Sequence, residues 1–413
     1  MTSNIKRTFF AFIWHGAFLA LTAAMLDLNT VFPSLINALT ESKIILATMI
    51  TILLGTPLIF NVIFSHFLRR AKSKKKFLLI GIYLRGLSFL GMAIFVYFYA
   101  KDTPSITILS LFFFLFIYSI SAGFAGISYS DLIAKTITDS KIRNKLFTYK
   151  QFLSSISGFL GGLIVTYIFT QNMLFPINYT INLIIGFVGL FIASIGFFFM
   201  KEPETEAVTD SDESLKTFFK KIPKILKNDN EFRRFIIVEN LSSFGIMIMP
   251  FYIVFAREVL FIQDKYIGIF LLIQISGKII STILWGLIGK KWDSRTVVTI
   301  CIVIGGFIPI LAILLSIYLP SLFGIVFFLL GFTISGRQIG FSPYLLDIAP
   351  KDKRVEYLGI RGSMNIFIVV LPLLGAIFIK SFGYIPTFIL VSIILLSTAA
   401  YHRFFKVKVN IIS

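Results

Sequence analysis

Long apolar runs dominate the sequence and limit what the chain can fold into. Twelve runs of roughly 20 or more mostly apolar residues follow one another, and each is long enough to cross a bilayer as an α-helix. Only 14% of the 413 residues are charged, against about 25% in soluble globular domains. The sequence therefore predicts an all-α polytopic membrane protein with twelve transmembrane helices. Their predicted bounds are Thr8–Leu39, Ile44–Leu68, Phe77–Ala100, Ser105–Ala134, Phe147–Thr170, Ile177–Met200, Phe235–Leu260, Tyr266–Gly289, Thr296–Leu319, Ser321–Ile348, Tyr357–Lys380 and Tyr384–Phe405.

Basic residues are concentrated in alternate loops between these runs. One set of loops holds the run "RRAKSKKK" (Arg69–Lys76) and the lysine-rich centre of the chain. By the positive-inside rule, this set faces the cytoplasm, so we expect both termini on the cytoplasmic side of an inner or plasma membrane. We expect the first run to be retained as a helix, because it is longer than a signal-peptide core. The opposite set of loops carries only Lys43, Lys101, Arg257, Lys265 and Lys380.

The net charge of +19 follows from this asymmetry and suits contact with anionic lipids. Nucleic-acid binding is not expected, because "RRAKSKKK" is short, lacks aromatic residues and lies between two spans. The chain has one cysteine and three distant histidines, so no metal site is predicted. No Ser/His/Asp arrangement, paired-carboxylate site or HExxH motif indicates catalysis. We expect no enzyme activity, no cofactor and a monomer.

The polar stretch Lys201–Arg234 divides the chain into six spans plus six. The predicted domains are residues 1–200, a cytoplasmic central loop 201–234, and residues 235–413. The second part of the loop, "LKTFFKKIPKILK", is amphipathic and has two interpretations. It either lies flat on the inner leaflet, with its apolar face in the lipid, or forms a solvated linker.

A weak internal repeat supports this division. The stretch His66–Gly86 aligns without gaps with Gly286–Gly306, with basic residues at similar places. Pro33 and Pro250 lie near the outer ends of the first and seventh runs. The matches occur in the same order at nearly constant offset, which predicts two pseudo-symmetric six-helix bundles.

Several motifs resemble those of the major facilitator superfamily over the whole chain. The stretch "LDLNTVFPSL" (Leu26–Leu35) is similar to a first-helix signature of efflux members. Part of the family's basic loop motif is matched in the second half by Gly286, Ile288, Lys291 and Arg295. The motif's aspartate is replaced by Arg70 and Lys290. The helix-four arginine of proton-drug antiporters is also missing from "SISAGFAG" (Ser119–Gly126).

This resemblance implies two bundles around a central cavity lined by helices one, four, seven and ten. The bundles would expose a site near the membrane midplane to each side in turn. The expected function is that of a secondary transporter. The candidate substrate or coupling residues are Asp27, Asn29, Gln274, Lys278 and Arg337.

Arg337 is the most informative candidate, because a charge at mid-depth in a membrane is costly and usually functional. Its planar fork of donors suits a carboxylate or phosphate. The alternative is a buried pair with a carboxylate such as Asp27 or Glu239. Lys278 shares a helix face with Gln274 and either contacts substrate or stabilises its bundle.

Asp27 either binds a coupling proton or neutralises Arg337. We expect Glu239 and Asn240 to lie near the inner membrane surface. His15 is interpreted as a packing residue, and Arg85 as a structural residue.

Charges at the cytoplasmic helix ends form a candidate gate. In the family, such carboxylates pair with basic loop residues. Asp131 would meet Arg69 or Arg70, and Asp347 would meet Lys290 or Lys291, with Lys150 and Arg361 joining these clusters. The alternative is simple charge balance at helix ends.

Three functions remain open from the sequence. The first is alternating-access transport of a small organic solute, anionic or zwitterionic because the deep charges are mainly positive. The second is proton-coupled efflux of lipophilic compounds, favoured by "LDLNTVFP". The third is a membrane sensor or assembly partner that no longer transports.

Overall fold

The computed structural model describes residues 3–69, 73–137, 139–171, 173–202, 215–350 and 353–404. Within these ranges it contains α-helices, short 3-10 segments, turns and no strand. The α-helices are α1 Ser3–Met25, α2 Val31–Leu39, α3 Lys43–Arg69, α4 Lys74–Tyr99, α5 Pro104–Thr136, α6 Ser140–Thr170, α7 Ile177–Phe198, α8 Leu215–Asn228, α9 Asn230–Ser242, α10 Phe251–Val259, α11 Lys265–Lys291, α12 Ser294–Tyr318, α13 Gly324–Ile348, α14 Arg354–Met364, α15 Leu371–Phe382 and α16 Tyr384–Phe404.

Twelve helical stretches in these ranges are long and apolar enough to cross a membrane, as predicted. Each agrees with a predicted run to within several residues, except that the first span ends earlier than predicted; helix α3, Lys43–Arg69, covers the whole predicted second run. Their bounds are Ile5–Met25, Lys43–Asn61, Lys74–Tyr99, Pro104–Thr136, Lys145–Thr170, Ile177–Phe198, Asn230–Val259, Lys265–Lys291, Ser294–Tyr318, Pro320–Ile348, Glu356–Phe382 and Tyr384–Phe404.

The chain forms two compact units. The first consists of Met1–Thr209 with Phe261–Leu272, and the second of Asp210–Leu260 with Ile273–Ser413. In the first unit, α1 packs on α6 and α7, while α4 packs on α5 and α7. In the second unit, α12 packs on α13 and α16, and α9 contacts α13, α14 and α16. Many phenylalanine side chains pack in the interiors of the two units. Phe12 and Phe197 are fully buried in the first unit, and Phe235 is fully buried in the second.

The predicted first helix is interrupted, which corrects the continuous helix expected over Thr8–Leu39. It ends at Met25, and α2 begins at Val31. In between, Asp27 Oδ1 accepts hydrogen bonds from the backbone N–H of Asn29 (3.0 Å) and the hydroxyl of Thr30 (2.8 Å). Short polar side chains compete in this way with helical backbone hydrogen bonds, so the motif "LDLNT" forms a turn within an apolar run.

The predicted seventh helix is also interrupted, by a 3-10 segment at Ser243–Met247. The helix resumes as α10 directly after Pro250, which lacks the N–H needed to continue a helix. The hydroxyls of Ser242 and Ser243 donate to the carbonyl oxygen of Glu239 at 2.9 and 2.6 Å. These bonds occupy a carbonyl at the end of α9 and favour the tighter winding that follows.

A third interruption lies in the predicted eleventh helix. The helix α14 ends at Met364, a 3-10 segment covers Asn365–Val370, and α15 begins at Leu371 with Pro372 in its first turn. Proline is tolerated there because the first N–H groups of a helix have no intrahelical partner.

The start of α9 differs from the prediction as well. It begins at Asn230, five residues before Phe235, because the side chain of Asp229 accepts from the N–H of Phe232 at 2.9 Å and caps the helix. Residues Glu239 and Asn240 therefore lie in the third turn of the helix. The central-loop helix α8 has exposed lysines at 220, 221, 224 and 227, with Ile222 buried. Its contact with lipid stays a prediction, and the side chains of Phe218 and Phe219 lie outside the described residues.

Candidate functional site

Arg337 lies midway along α13, on the side that faces the end of α9. Its Nη1 donates to Ser242 Oγ at 2.9 Å, and its Nη2 donates to Ser243 Oγ at 2.7 Å. The guanidinium carbon lies 5.0 Å from the centre of the Phe341 ring, a cation–π distance. The 3-10 segment after α9 thus presents two adjacent hydroxyls to both arms of one guanidinium.

The two serines connect Arg337 to the backbone of α9. Each hydroxyl accepts from Arg337 and donates to the carbonyl oxygen of Glu239. A hydroxyl has one donor and two acceptor positions, so each serine hydroxyl can bind Arg337 and the carbonyl at the same time, and no carboxylate is needed. In the part of the chain that the structure describes, no carboxylate lies within hydrogen-bonding distance of Arg337.

The carboxylate of Glu239 is held by a different arginine. Arg361 Nε lies 2.9 and 3.0 Å from its two oxygens, and Arg361 Nη2 also contacts Oε1. Glu239 is 2% exposed, and no other described Asp or Glu is buried to this degree. Arg361 Nη1 extends 3.3 Å to Ser342 Oγ on α13. The hydrogen bonds of such a bidentate pair offset part of the free-energy cost of burying two charged side chains.

One expectation is corrected: Glu239 lies in the third turn of α9 and not at the start of the helix, and it is buried in the second unit, where Arg361 pairs with it. A gating role of Arg361 stays a prediction. The shift follows from the earlier start of α9. We call the set Glu239, Ser242, Ser243, Arg337 and Arg361 the arginine network.

A cavity in the second unit borders the arginine network. Its polar lining comprises Ser242, Tyr252, Cys301, Thr333 and Arg337. The cavity has a volume of about 40 Å³ for the centres of water molecules. It can hold a few waters but not a sugar ring. The apolar lining is formed by Ile246, Met249, Ile302, Ile308, Pro309, Leu330 and Leu395. The mixture of a mostly apolar lining and a few convergent polar groups matches a small-molecule site in composition, but the cavity must widen before it admits a solute.

Gln274 and Lys278 lie where α11 crosses α13. A side chain at Gly331 would collide with the Gln274 carbonyl, and one at Gly277 would collide with the Phe328 carbonyl. This close approach fixes both predicted residues against the helix that carries Arg337. Gln274 is 5% exposed, and Lys278 Nζ forms no ion pair with another described residue.

Asp27 and Asn29 belong to the first unit, in the turn between α1 and α2. One carboxylate oxygen of Asp27 shapes this turn through the bonds to Asn29 and Thr30. A turn within an apolar run presents backbone groups and short polar side chains that a regular helix would not offer. Both residues stay candidates for contact with a solute.

The predicted gate residues are placed differently from the expected pairs. Asp131 pairs with Lys135 on its own helix at 2.8 Å. Asp347 accepts from Ser294 Oγ at 2.7 Å, Lys291 lies 4.7 Å from the Trp292 ring, and Lys290 forms no ion pair with Asp347. Arg70 and the side chain of Arg69 lie outside the described residues. Lys150 lies 4.7 Å from the Tyr129 ring. Gating by these residues stays a prediction.

Sequence reasoning missed Ser242 and Ser243 and misplaced Glu239. The signal was present in "NDNEF", where an Asp precedes a Glu-containing first turn and marks a helix start. Moving the start to Asn230 places Glu239 nearly three turns into the helix. Nothing in the local pattern distinguishes the two serines from other small residues in apolar helices.

Comparison with known proteins identifies the family. A model of the family described as MFS/sugar transport protein matches residues 39–352. The chain belongs to this family. It is a multi-pass membrane protein and a secondary transporter of the major facilitator type, and it is not an enzyme. The predicted fold class and the resemblance to the superfamily are confirmed.

Solved structures of this MFS fold are similar to the chain over almost its whole length. A D-xylose-proton symporter is 14% identical with a TM-score of 0.68, covering 98% of each chain. A bacterial homolog of the human lysosomal transporter Spinster is 11% identical with a TM-score of 0.66, covering 97% of each. A POT family transporter in complex with a thioalcohol-conjugated peptide is 13% identical with a TM-score of 0.66, covering 96% of this chain and 94% of the other. At these identities the likeness concerns the fold alone. The comparison with curated proteins gives no match.

Proposed function

We propose that this MFS transporter carries a small organic solute with an anionic or zwitterionic group, and that Arg337 binds this group. One observation carries the proposal. The charge of Arg337 is held by two neutral hydroxyls beside a cavity, while the buried carboxylate of the same unit is already engaged by Arg361. Arg361 thus has a carboxylate partner, and Arg337 has only neutral hydrogen-bond partners among the described residues. A carboxylate or phosphate oxygen from a solute would supply the missing negative charge.

The contrast between the two arginines strengthens this assignment. Arg361 forms a bidentate ion pair, which is the usual way to stabilise a buried arginine. The bonds from Arg337 to the serines leave N–H groups of its guanidinium available, since the group has five donors. A charged group held in position but not neutralised suits a binding role.

A neutral sugar or glycoside is the second candidate. It is favoured by the description of the matching family and by the symporter among the similar structures. The hydroxyls of Ser242, Tyr252 and Thr333 offer partners for sugar hydroxyls beside the cavity. A lipophilic compound is the third candidate, favoured by the apolar part of the cavity lining.

A thermal-shift screen on the purified full chain separates the three candidates. The panel contains D-glucuronate and alanine as charged solutes, D-glucose and D-xylose as neutral sugars, and rhodamine as a lipophilic cation. A ligand that binds only the folded state raises the Tm. At a ligand concentration a hundred times Kd, it stabilises the folded state by about 2.7 kcal/mol. We expect a charged solute to raise the Tm of the wild type and not that of Arg337→Ala.

The control is Arg354→Ala, which removes an exposed arginine of the same unit and should respond like the wild type. Equal shifts by a neutral sugar in the wild type and in Arg337→Ala would contradict the anion assignment and favour the sugar. Shifts by rhodamine alone would favour efflux of lipophilic compounds.

A further inference from the structure

A second, larger cavity lies in the second unit, between the two helical stretches that contain 3-10 segments. One wall is formed by α9 and the segment Ser243–Met247, and the other by the end of α14, the segment Asn365–Val370 and the first turn of α15. Its volume is about 410 Å³ for the centres of water molecules, roughly ten times that of the cavity beside Arg337. This volume lies within the range of small-molecule sites. We call it the Asn240 cavity, because Asn240 is the polar side chain of its described lining.

The Asn240 cavity and the arginine network lie on opposite faces of one helical stretch. Ile237, Asn240 and Phe244 line the Asn240 cavity, whereas Ser242 and Ile246 line the smaller cavity. At about 100° per residue, the two groups are roughly half a turn apart around the helix axis. A molecule in the Asn240 cavity is therefore separated from the arginine network by the helix itself.

The two walls touch at both ends of the Asn240 cavity. Toward the start of α9, Tyr357 Oη donates to Asp229 Oδ2 at 2.7 Å, and the Tyr357 ring lies 4.2 Å from the Phe232 ring. Toward α10, Gly375 lies so close to the Met247 carbonyl that a side chain would collide with it. The walls separate only between these contacts. The cavity is therefore bounded along the helices and suits a compact molecule better than an extended acyl chain.

The polar group of the cavity is the side-chain amide of Asn240. Its Nδ2 donates to the carbonyl oxygen of Ile236 at 3.0 Å and lies 3.5 Å from Asn365 Oδ1. Its Oδ1 accepts no hydrogen bond from another described residue, so an N–H or O–H group of a ligand is its complement. Asn240 lies more than two turns inside its span, where hydrocarbon cannot supply such a donor.

The rest of the described lining is apolar and carries no charged side chain. An ion entering this cavity would lose its hydration without compensation, so the lining favours a neutral molecule. Phe244 and Phe367 offer two rings against which an aromatic ligand can pack. Val370 and Phe367 are exposed, while Ile236 is buried on the opposite wall, so a molecule can enter from the surface of the second unit.

We propose that the Asn240 cavity is a second ligand site, which binds a neutral, compact and mostly apolar organic molecule that donates a hydrogen bond to Asn240. An aromatic amide has this chemistry. The proposal does not depend on the solute assigned to Arg337, because the two sites lie on opposite faces of α9. A lipid acyl chain is the alternative occupant. It would fill the apolar part of the lining and leave the Asn240 oxygen without a donor.

Thermal unfolding of the purified full chain with two probes of similar shape tests the class of ligand. Benzanilide has two aromatic rings joined by an amide, and trans-stilbene has the same rings joined by a double bond without a donor. We expect benzanilide to raise the Tm of the wild type. We expect stilbene to bind about threefold to tenfold more weakly, the effect of one missing hydrogen bond. Equal affinity for the two probes would overturn the role of Asn240 and favour a purely apolar occupant, and no shift with either probe would overturn the site.

Two tryptophan variants test the location. Val370→Trp places a large side chain in the lining and should abolish the shift caused by benzanilide. Val259→Trp is the matched control, because Val259 is 44% exposed against 43% for Val370 and lies outside the lining. Equal shifts in these two variants would overturn the assignment to this cavity.

Asn240→Leu is a further variant that keeps the test decisive if Val370→Trp does not fold. It removes the acceptor and keeps a side chain of similar size in the lining. We expect it to bind benzanilide only as tightly as it binds stilbene. A wild-type preference for benzanilide in this variant would show that the probe binds elsewhere and would overturn the proposal.

Discussion

At the scale of single residues, the second unit separates two roles that the sequence could not tell apart. Both Arg337 and Arg361 lie in apolar spans, but one is held by hydroxyls and the other by a carboxylate. Removing one member of a buried pair leaves an uncompensated charge, while removing both does not. The two arginines should therefore respond very differently to mutation.

Glu239→Gln should lower the free energy of unfolding by about 3–5 kcal/mol, because Arg361 would remain charged and buried without its partner. Adding Arg361→Gln should restore much of this loss, since two amides of similar size can share a hydrogen bond. Thermal or denaturant unfolding in detergent measures the two differences. If the double variant is as unstable as the sum of its single changes, the pair contributes no specific coupling.

Arg337→Ala should cost less stability than Glu239→Gln. The serine hydroxyls that it leaves behind still donate to the carbonyl of Glu239, so no buried donor loses its acceptor. The same unfolding experiment compares the two variants. A larger loss for Arg337→Ala would mean that Arg337 is primarily structural.

At the scale of helices, the sequence predicted where the spans lie but not where they are interrupted. The position of a span depends on the summed apolarity of its residues, and this sum does not depend on which residues they contact in the fold. The interruptions at Asp27–Thr30 and Ser243–Met247 depend on hydrogen bonds between side chains and the backbone. Proline offered a signal at Pro33 and Pro250, but its position alone does not tell where the preceding helix ends. Glu239 was misplaced for a related reason, since the cap at Asp229 was given less weight than apolarity.

The crossing of α11 and α13 gives a prediction at the same scale. Gly331→Ala should destabilise the second unit by about 1–3 kcal/mol, because the new methyl group collides with the Gln274 carbonyl and must push the helices apart. Gly286→Ala on α11 is the matched control. It meets nothing within 4 Å and should be neutral or slightly stabilising, since alanine favours helix. Equal unfolding temperatures for the two variants would mean that the helices separate at little cost.

At the scale of the whole molecule, loop charge predicts the orientation of the chain in the membrane. The exposed Lys201 belongs to the strongly basic set of loops, and the exposed Lys101 to the opposite set. The positive-inside rule places the first in the cytoplasm and the second outside. The native Cys301 is 2% exposed, so it should not compete for a thiol reagent that stays in water.

Cysteine labelling in intact cells therefore tests the orientation. Lys101→Cys should react with a membrane-impermeant maleimide in intact cells, and Lys201→Cys should react only after the membrane is opened. The unmodified chain is the background control, because its one thiol is buried. The opposite pattern would invert the predicted topology. Labelling of both positions in intact cells would contradict an odd number of spans between them, since the chain from 104 to 198 contains three spans.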